Sequence, residues 1–159
     1  MRQPDRADHQ LDGYPRHLPT DSLSFFVDSA ELAAWVAEAR DGGVVGHIAL
    51  HAGAGDPAAA MAGPAADLAP EQLAVVARLM ADPDARRRGV ARRLLAAATH
   101  YAHAHRLTPV LDVQQKLGPA LSLYENLGWE RAGPLILPVR GHEPLRLWVY
   151  LGPRPADLA

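Results

Sequence analysis

The sequence predicts an α/β (α+β) chain built on a mixed central β-sheet with flanking helices, and three observations carry that expectation. Two apolar runs, "AWVAE" and "VVGHIALH", flank the turn former "RDGG" and read as an antiparallel hairpin. The run "LAVVARLMA", an amphipathic helical pattern and then "TPVLDV" read as strand, right-handed crossover and parallel strand. Two more strands, "WERAGPLILPV" and "EPLRLWVYL", close the chain around "RGHE". Parallel and antiparallel pairs together make the sheet mixed.

Taken in order, residues 1–22 are polar and without period, so they read as a poorly ordered or loosely docked arm that no fold depends on. A domain over 23–152 follows, and 153–159 form a tail. A short helix at 29–32, capped by Asp28 or Ser29, leads into the hairpin strands at 34–38 and 44–51. "AGAGDPAAAMAGPAADLAPEQ" is rich in Ala, Gly and Pro without helical phasing, and reads as a long mobile loop. The run at 73–81 is short and apolar throughout, as a strand covered on both faces requires. In the next segment Val90, Ala91, Leu94, Leu95, Ala98, Tyr101 and Ala102 fall on one helical stripe that runs to about Arg106. "GPALSLYENLG" is a second helix, with Pro119 in its first turn and Gly128 as its stop. Trp35, Trp129 and Trp148 read as core.

Composition sets limits. With 159 residues and a formal net charge of -2, one core suffices and no global positive field holds the chain on a polyanion. The absence of cysteine excludes a disulfide framework, a thiolate zinc site and a thiol nucleophile, and fits a reducing cytoplasm. No apolar run approaches the roughly 20 residues a membrane span needs, so the expected location is cytoplasmic, with no membrane partner. "THYAHAHR" sets His100 and His103 on one helical face without carboxylates beside them, so no metal is expected.

The stretch "DARRRGVARRLL" places five arginines around Gly89 where strand gives way to helix. Fifteen of the sixteen basic residues are Arg, so only the placement of these five carries meaning. A glycine at such a junction lets backbone approach a ligand closely, and the first-turn N–H groups of the helix have no internal partner. With the helix dipole and guanidinium groups nearby, the corner suits a phosphate or pyrophosphate. Neither G-x-x-x-x-G-K-[ST] nor G-x-G-x-x-G is present.

The pattern Arg86-x-x-Gly89-x-Ala91 resembles the coenzyme A pyrophosphate loop of the GNAT N-acetyltransferase superfamily, Q/R-x-x-G-x-G/A. "ALSLYENLGW" resembles the family's LYE-x-LG-[FW] segment, in the right order and with "LDV" between the two. The resemblance covers residues 33 to 151. It implies a GNAT-like (acyl-CoA N-acyltransferase) fold in which the strands carrying "RLMA" and "LDV" splay apart and admit the pantetheine arm of acetyl-CoA. That arm then pairs with the backbone of Leu79, Met80 and Ala81. The pyrophosphate rests on the N–H groups around Arg87, Arg88, Gly89, Val90 and Ala91, with Arg86 opening the motif.

The activity implied is acetyl transfer from acetyl-CoA to a primary amine of a small molecule or peptide, directly within a ternary complex. An absent cysteine agrees with direct transfer, because the best acyl-carrying nucleophile is missing. An amine of pKa about 10.4 must lose a proton before it attacks. A backbone N–H near Met80 or Ala81 is expected to stabilise the oxyanion. Tyr124 occupies the position of the family's general acid. Its base is open: "LAVVARLMA" holds no carboxylate, and His47, His51 and Glu71 are candidates through water.

Two departures stand out. Only about thirty residues precede "AWVAE", with no evident first strand, so one wall of the acceptor pocket is abbreviated, supplied by a partner subunit or lost to a misassigned start. Leu117 replaces a polar residue that often contacts the cofactor. The resemblance makes a homodimer a common state. The alternative is a non-catalytic acyl-CoA-binding module with a degenerate acceptor pocket. A DNA-binding helix over 86–93 is disfavoured by the net charge, so no nucleic-acid partner is expected.

Overall fold

The computed structural model describes residues 16–18, 31–83 and 89–155, and its strands and helices are numbered here along the chain. The chain divides into two compact units, one of residues 1–51 and 76–101, the other of 52–75 and 102–159. The predicted α/β fold with a mixed sheet is what forms.

The first unit is built on antiparallel strands β1 (Arg16–Leu18), β2 (Glu31–Glu38) and β3 (Val44–Ala52). The sequence reading assigned no strand to β1, which pairs Arg16 with Val36 and Leu18 with Ala34 on β2. Of the helix expected at 29–32, residues 29 and 30 lie outside the described residues. Glu31 and Leu32 belong to β2 instead, with Glu31 opposite His51 and a bulge before Ala33. Cross-strand pairing here overrides a weak local capping signal. The "RDGG" turn forms as expected: Asp41 accepts from the Gly43 N–H at 2.8 Å, and Gly42 takes φ +86°.

Strand β4 (Leu73–Ala81) runs through both units, with residues from Val76 onward in the first, next to β3. Helix α2 (Val90–Ala104) follows the predicted stripe: Val90, Leu94, Leu95, Ala98 and Ala102 are buried, while Arg92 and Arg93 are exposed. Gly46 on β3 lets this helix close in, since a Cβ there would meet Val90 at 2.6 Å and Leu94 at 2.9 Å. Trp35 is buried and meets Tyr101 edge-on, ring centroids 5.4 Å apart.

In the second unit Leu73, Ala74 and Val75 of β4 pair in parallel with Thr108, Pro109 and Val110 of β5 (Thr108–Gln114). Strand β7 (Leu145–Leu151) runs antiparallel to β5, and β6 (Glu130–Leu137) antiparallel to β7, so the order is β4-β5-β7-β6.

The loop expected at 52–72 is the clearest correction, because it contains helix α1 (Pro57–Ala66) and a 3-10 turn (Pro70–Gln72). Asp56 caps α1 by accepting from the Ala58 N–H at 2.8 Å, Pro57 fits its first turn, and Asp67 ends it at φ 56°. Ala58, Ala59, Ala62, Gly63 and Ala66 form its buried face. From that face Ala58, Ala59 and Ala62 pack with Leu73, Val75, Val110 and Val149 into one apolar cluster. The segment hid its period because its outward positions are also Ala or Pro, so no polar residue marked the solvent side. Trp148 is a smaller correction: it is half-buried, and the Arg131 guanidinium lies over its ring at 4.3 Å. No described helix is long and apolar enough to cross a membrane.

Candidate active site

The first unit supplies the corner. Gly89 stands before α2 at φ +77°, a left-handed conformation that costs an ordinary L-residue about 1–2 kcal/mol. Nothing lies within 4 Å of where its Cβ would be, so the backbone faces open space. Its carbonyl accepts from the Arg93 N–H at 3.0 Å, the first intrahelical bond of α2. The N–H groups of Val90, Ala91 and Arg92 precede that bond and are the donors a helix start offers to an anion. The corner therefore fits a pyrophosphate. Arg86, Arg87 and Arg88 lie outside the described residues.

Leu79, Met80 and Ala81 end β4 in the first unit. The register between β4 and β5 ends at the pair Val75 and Val110, so none of the three takes part in that ladder. Met80 is 62% exposed, unusual for an apolar strand residue and suited to a ligand's apolar arm. Just before them Arg78 takes φ +53° inside the strand. Its carbonyl is held by the His47 Nδ1 at 3.0 Å. The carbonyl can only accept, so Nδ1 carries the proton. This backbone kink was missed: no glycine or proline marks it, and a non-glycine positive φ has no sequence signature.

The second unit positions Tyr124 on α3 (Gly118–Asn126). Gly128, at φ +86°, stops this helix by two bonds: its N–H donates to the Glu125 carbonyl at 3.1 Å, and the Trp129 N–H to the Tyr124 carbonyl at 3.0 Å. This Schellman pattern explains the spacing Tyr-x-x-x-Gly-Trp physically, because it folds Trp129 back toward Tyr124, ring centroids 6.2 Å apart. Tyr150 closes the other side at 5.9 Å. The Tyr150 hydroxyl donates to Glu125 Oε1 at 2.7 Å and accepts from Arg131, which also bonds Glu125 at 3.0 Å. These contacts tie α3 to β6 and β7 around the Tyr124 ring.

Tyr124 is buried, and none of the described residues partners its hydroxyl. Burial, and then the charge of Asp112, push its pKa up to about 12. Asp112, in the "LDV" segment of β5, is itself shifted up, first by desolvation of its carboxyl and then by the charge of Asp56 at the α1 cap. Reading from sequence missed Asp112 as a functional candidate. The residue alternates with buried Leu111 and Val113, which was the available signal, but its two electrostatic partners are remote in sequence.

Of the other candidates, His47 is engaged with Arg78 as described. His51 carries a buried Nε2 without a partner among the described residues, and Glu71 is exposed within the 3-10 turn. His103 bonds the Pro153 carbonyl through Nε2 at 2.7 Å, an anchoring contact for the C-terminal segment. Leu117 precedes α3, is 44% exposed and makes no side-chain cap.

The model of the Acetyltransferase (GNAT) family matches residues 3–129. No curated protein matches the chain. Among solved structures, the Arabidopsis thaliana NAA60 complex with a bisubstrate analogue aligns with TM-score 0.62 and 16% identity, over 84% of this chain and 82% of that one. The ribosomal-protein-S18-alanine N-acetyltransferase of Escherichia coli aligns with TM-score 0.59 and 16% identity, over 91% and 81%. A candidate streptothricin acetyltransferase of Bacillus anthracis str. Ames, solved with acetyl coenzyme A, aligns with TM-score 0.60 and 15% identity, over 94% and 92%. The chain spans 62% and 66% of the lengths of two further matches, from Acinetobacter baylyi ADP1 and Staphylococcus aureus Mu50. These identities carry the fold, and the family model covers most of the sequence. The chain belongs to the acetyltransferase (GNAT) family.

Proposed function

We propose that this protein is an N-acetyltransferase that moves the acetyl group of acetyl-CoA to a primary amine of a small molecule or peptide, directly within a ternary complex. The observation that carries the reading is the Gly89 corner, with φ +77° and open space at the Cβ position just before the first turn of α2, whose N–H groups have no partner within the helix. Val90, Ala91 and Arg92 grip the pyrophosphate through these groups, and Arg86, Arg87 and Arg88 add positive charge beside it. Leu79, Met80 and Ala81 offer backbone outside the β4–β5 ladder to the pantetheine arm.

Asp112 and Tyr124 handle the protons. The Asp112 carboxylate takes the proton of the incoming amine, a role its raised pKa favours over an ordinary aspartate. The C–N bond forms as the C–S bond breaks. Tyr124, neutral at physiological pH, donates a hydrogen bond to the departing sulfur. A phenol near 12 does not hand its proton completely to a thiolate whose acid has pKa about 8.5, so that thiolate is finally protonated from solvent. The general-acid role expected for Tyr124 is thereby narrowed to stabilising the leaving group. Asp112 is also the base that the carboxylate-free "LAVVARLMA" strand lacks.

The test is thiol release from acetyl-CoA across a panel of primary amines, beside calorimetric titration of coenzyme A. Binding with turnover on at least one amine supports the reading. Binding without turnover on any favours the non-catalytic module, and no binding removes both.

A further inference from the structure

We infer that His47 is a positioning residue that aims the Leu79 amide at the thioester oxygen, by holding the carbonyl of Arg78. The inference rests on the acetyl-CoA reading above and adds a residue to it. Three non-glycine residues among those described have positive φ: Asp67, Arg78 and Arg106. Asp67 is the C-cap of α1, and Arg106 follows the end of α2, places where chains commonly reverse. Arg78 alone sits within a strand, where the left-handed conformation persists only if its surroundings hold it.

Three consecutive residues of β3 do the holding. Val45 accepts from the Asp82 N–H at 2.7 Å. Gly46 leaves room for the Met80 carbonyl, which a Cβ would approach to 3.1 Å. His47 donates from Nδ1 to the Arg78 carbonyl at 3.0 Å. Because the peptide joining Arg78 to Leu79 is planar and trans, its C=O and N–H point in opposite directions. A carbonyl tied to His47 therefore sends the Leu79 N–H away from the His47 ring. That N–H becomes a fixed donor for the negative charge that develops on the thioester oxygen, one or two residues earlier than the sequence suggested.

The test uses His47→Asn and His47→Asp, which share a shape but not a donor. Asn can replace the Nδ1–H, whereas Asp presents only acceptors to a carbonyl. Expected for Asp is a loss of kcat of about tenfold or more, with KM for acetyl-CoA and coenzyme A affinity held within about twofold. Asn should stay within about fivefold of the parent kcat. A readout apart from activity is the Leu79 amide proton resonance, expected to move downfield on acetyl-CoA binding in the parent and Asn proteins and to stay put in Asp. Equal kcat and equal Leu79 response in the two variants overturn the inference while leaving the acetyltransferase reading intact. A parent protein that binds no acetyl-CoA overturns that reading, and the inference with it. Should Asp fail to fold, His47→Leu serves as the variant without a donor, with the same expected losses and the same overturning result.

Discussion

Asp112 and Tyr124 are where single side chains decide most. Burial and the Asp112 charge hold the Tyr124 phenol near 12. Its neutral form is favoured by the fold, so the stability it contributes is present below pH 10 and is lost as pH rises from there through about 12. Tyr124→Phe should flatten that alkaline loss in thermal melts. The same variant should lower kcat by about 10- to 100-fold while leaving coenzyme A affinity within about twofold, measured by steady-state kinetics and calorimetry. For Asp112 the raised pKa means that the protonated form suits the fold, so its contribution is present in acid and disappears as pH rises through the folded-state value. Asp112→Asn mimics that form. It should raise Tm at pH 7 by something on the order of 1 °C, the gain vanishing near pH 3, and should remove most turnover. A variant with lower Tm at pH 7 and unchanged kcat would contradict both assignments.

Between residues and the whole stand the turns that aim backbone groups. Gly89 and Gly128 each use a positive φ that glycine adopts without strain, one to open a helix N-terminus and one to close a helix C-terminus. These two were legible in the sequence because their signals are local: a glycine at a fixed offset from a helical stripe. Gly89→Ala should cost about 1–2 kcal/mol of stability through strain, and should weaken coenzyme A binding by about tenfold or more. An unchanged affinity by calorimetry would separate the corner from the cofactor. Helix α1 was illegible for the opposite reason. Its buried face of Ala and Gly differs little in hydrophobicity from its exposed Ala and Pro, so only packing against Leu73, Val110 and Val149 distinguishes the two sides.

At the scale of the whole chain, a ligand that binds only the folded protein stabilises it by mass action. Coenzyme A at a hundredfold excess over its Kd should add about 2.7 kcal/mol, which for 159 residues corresponds to a rise in Tm of roughly 5–10 °C by scanning fluorimetry. A short DNA duplex at the same concentration and physiological salt should leave Tm where it is, as the net charge of -2 implies. A shift with the duplex and none with coenzyme A would reverse the assignment of the arginine-flanked corner.

What the sequence by itself determined was written in short-range chemistry. The hairpin at "RDGG", the Gly89 corner and the Tyr124 cap each depend on residues within a few positions of one another, and the crossover from "LAVVARLMA" through α2 to "TPVLDV" is written in the local periods of its three successive elements. What only the tertiary structure decided was the company that remote residues keep. Asp56 and Tyr124 reach Asp112 from a helix cap and another helix, and His47 reaches across from β3 to the kinked backbone at Arg78. Periodicity and turn chemistry report which way a side chain faces along its own element. They carry no record of which distant group will be waiting there, because that depends on how the elements pack.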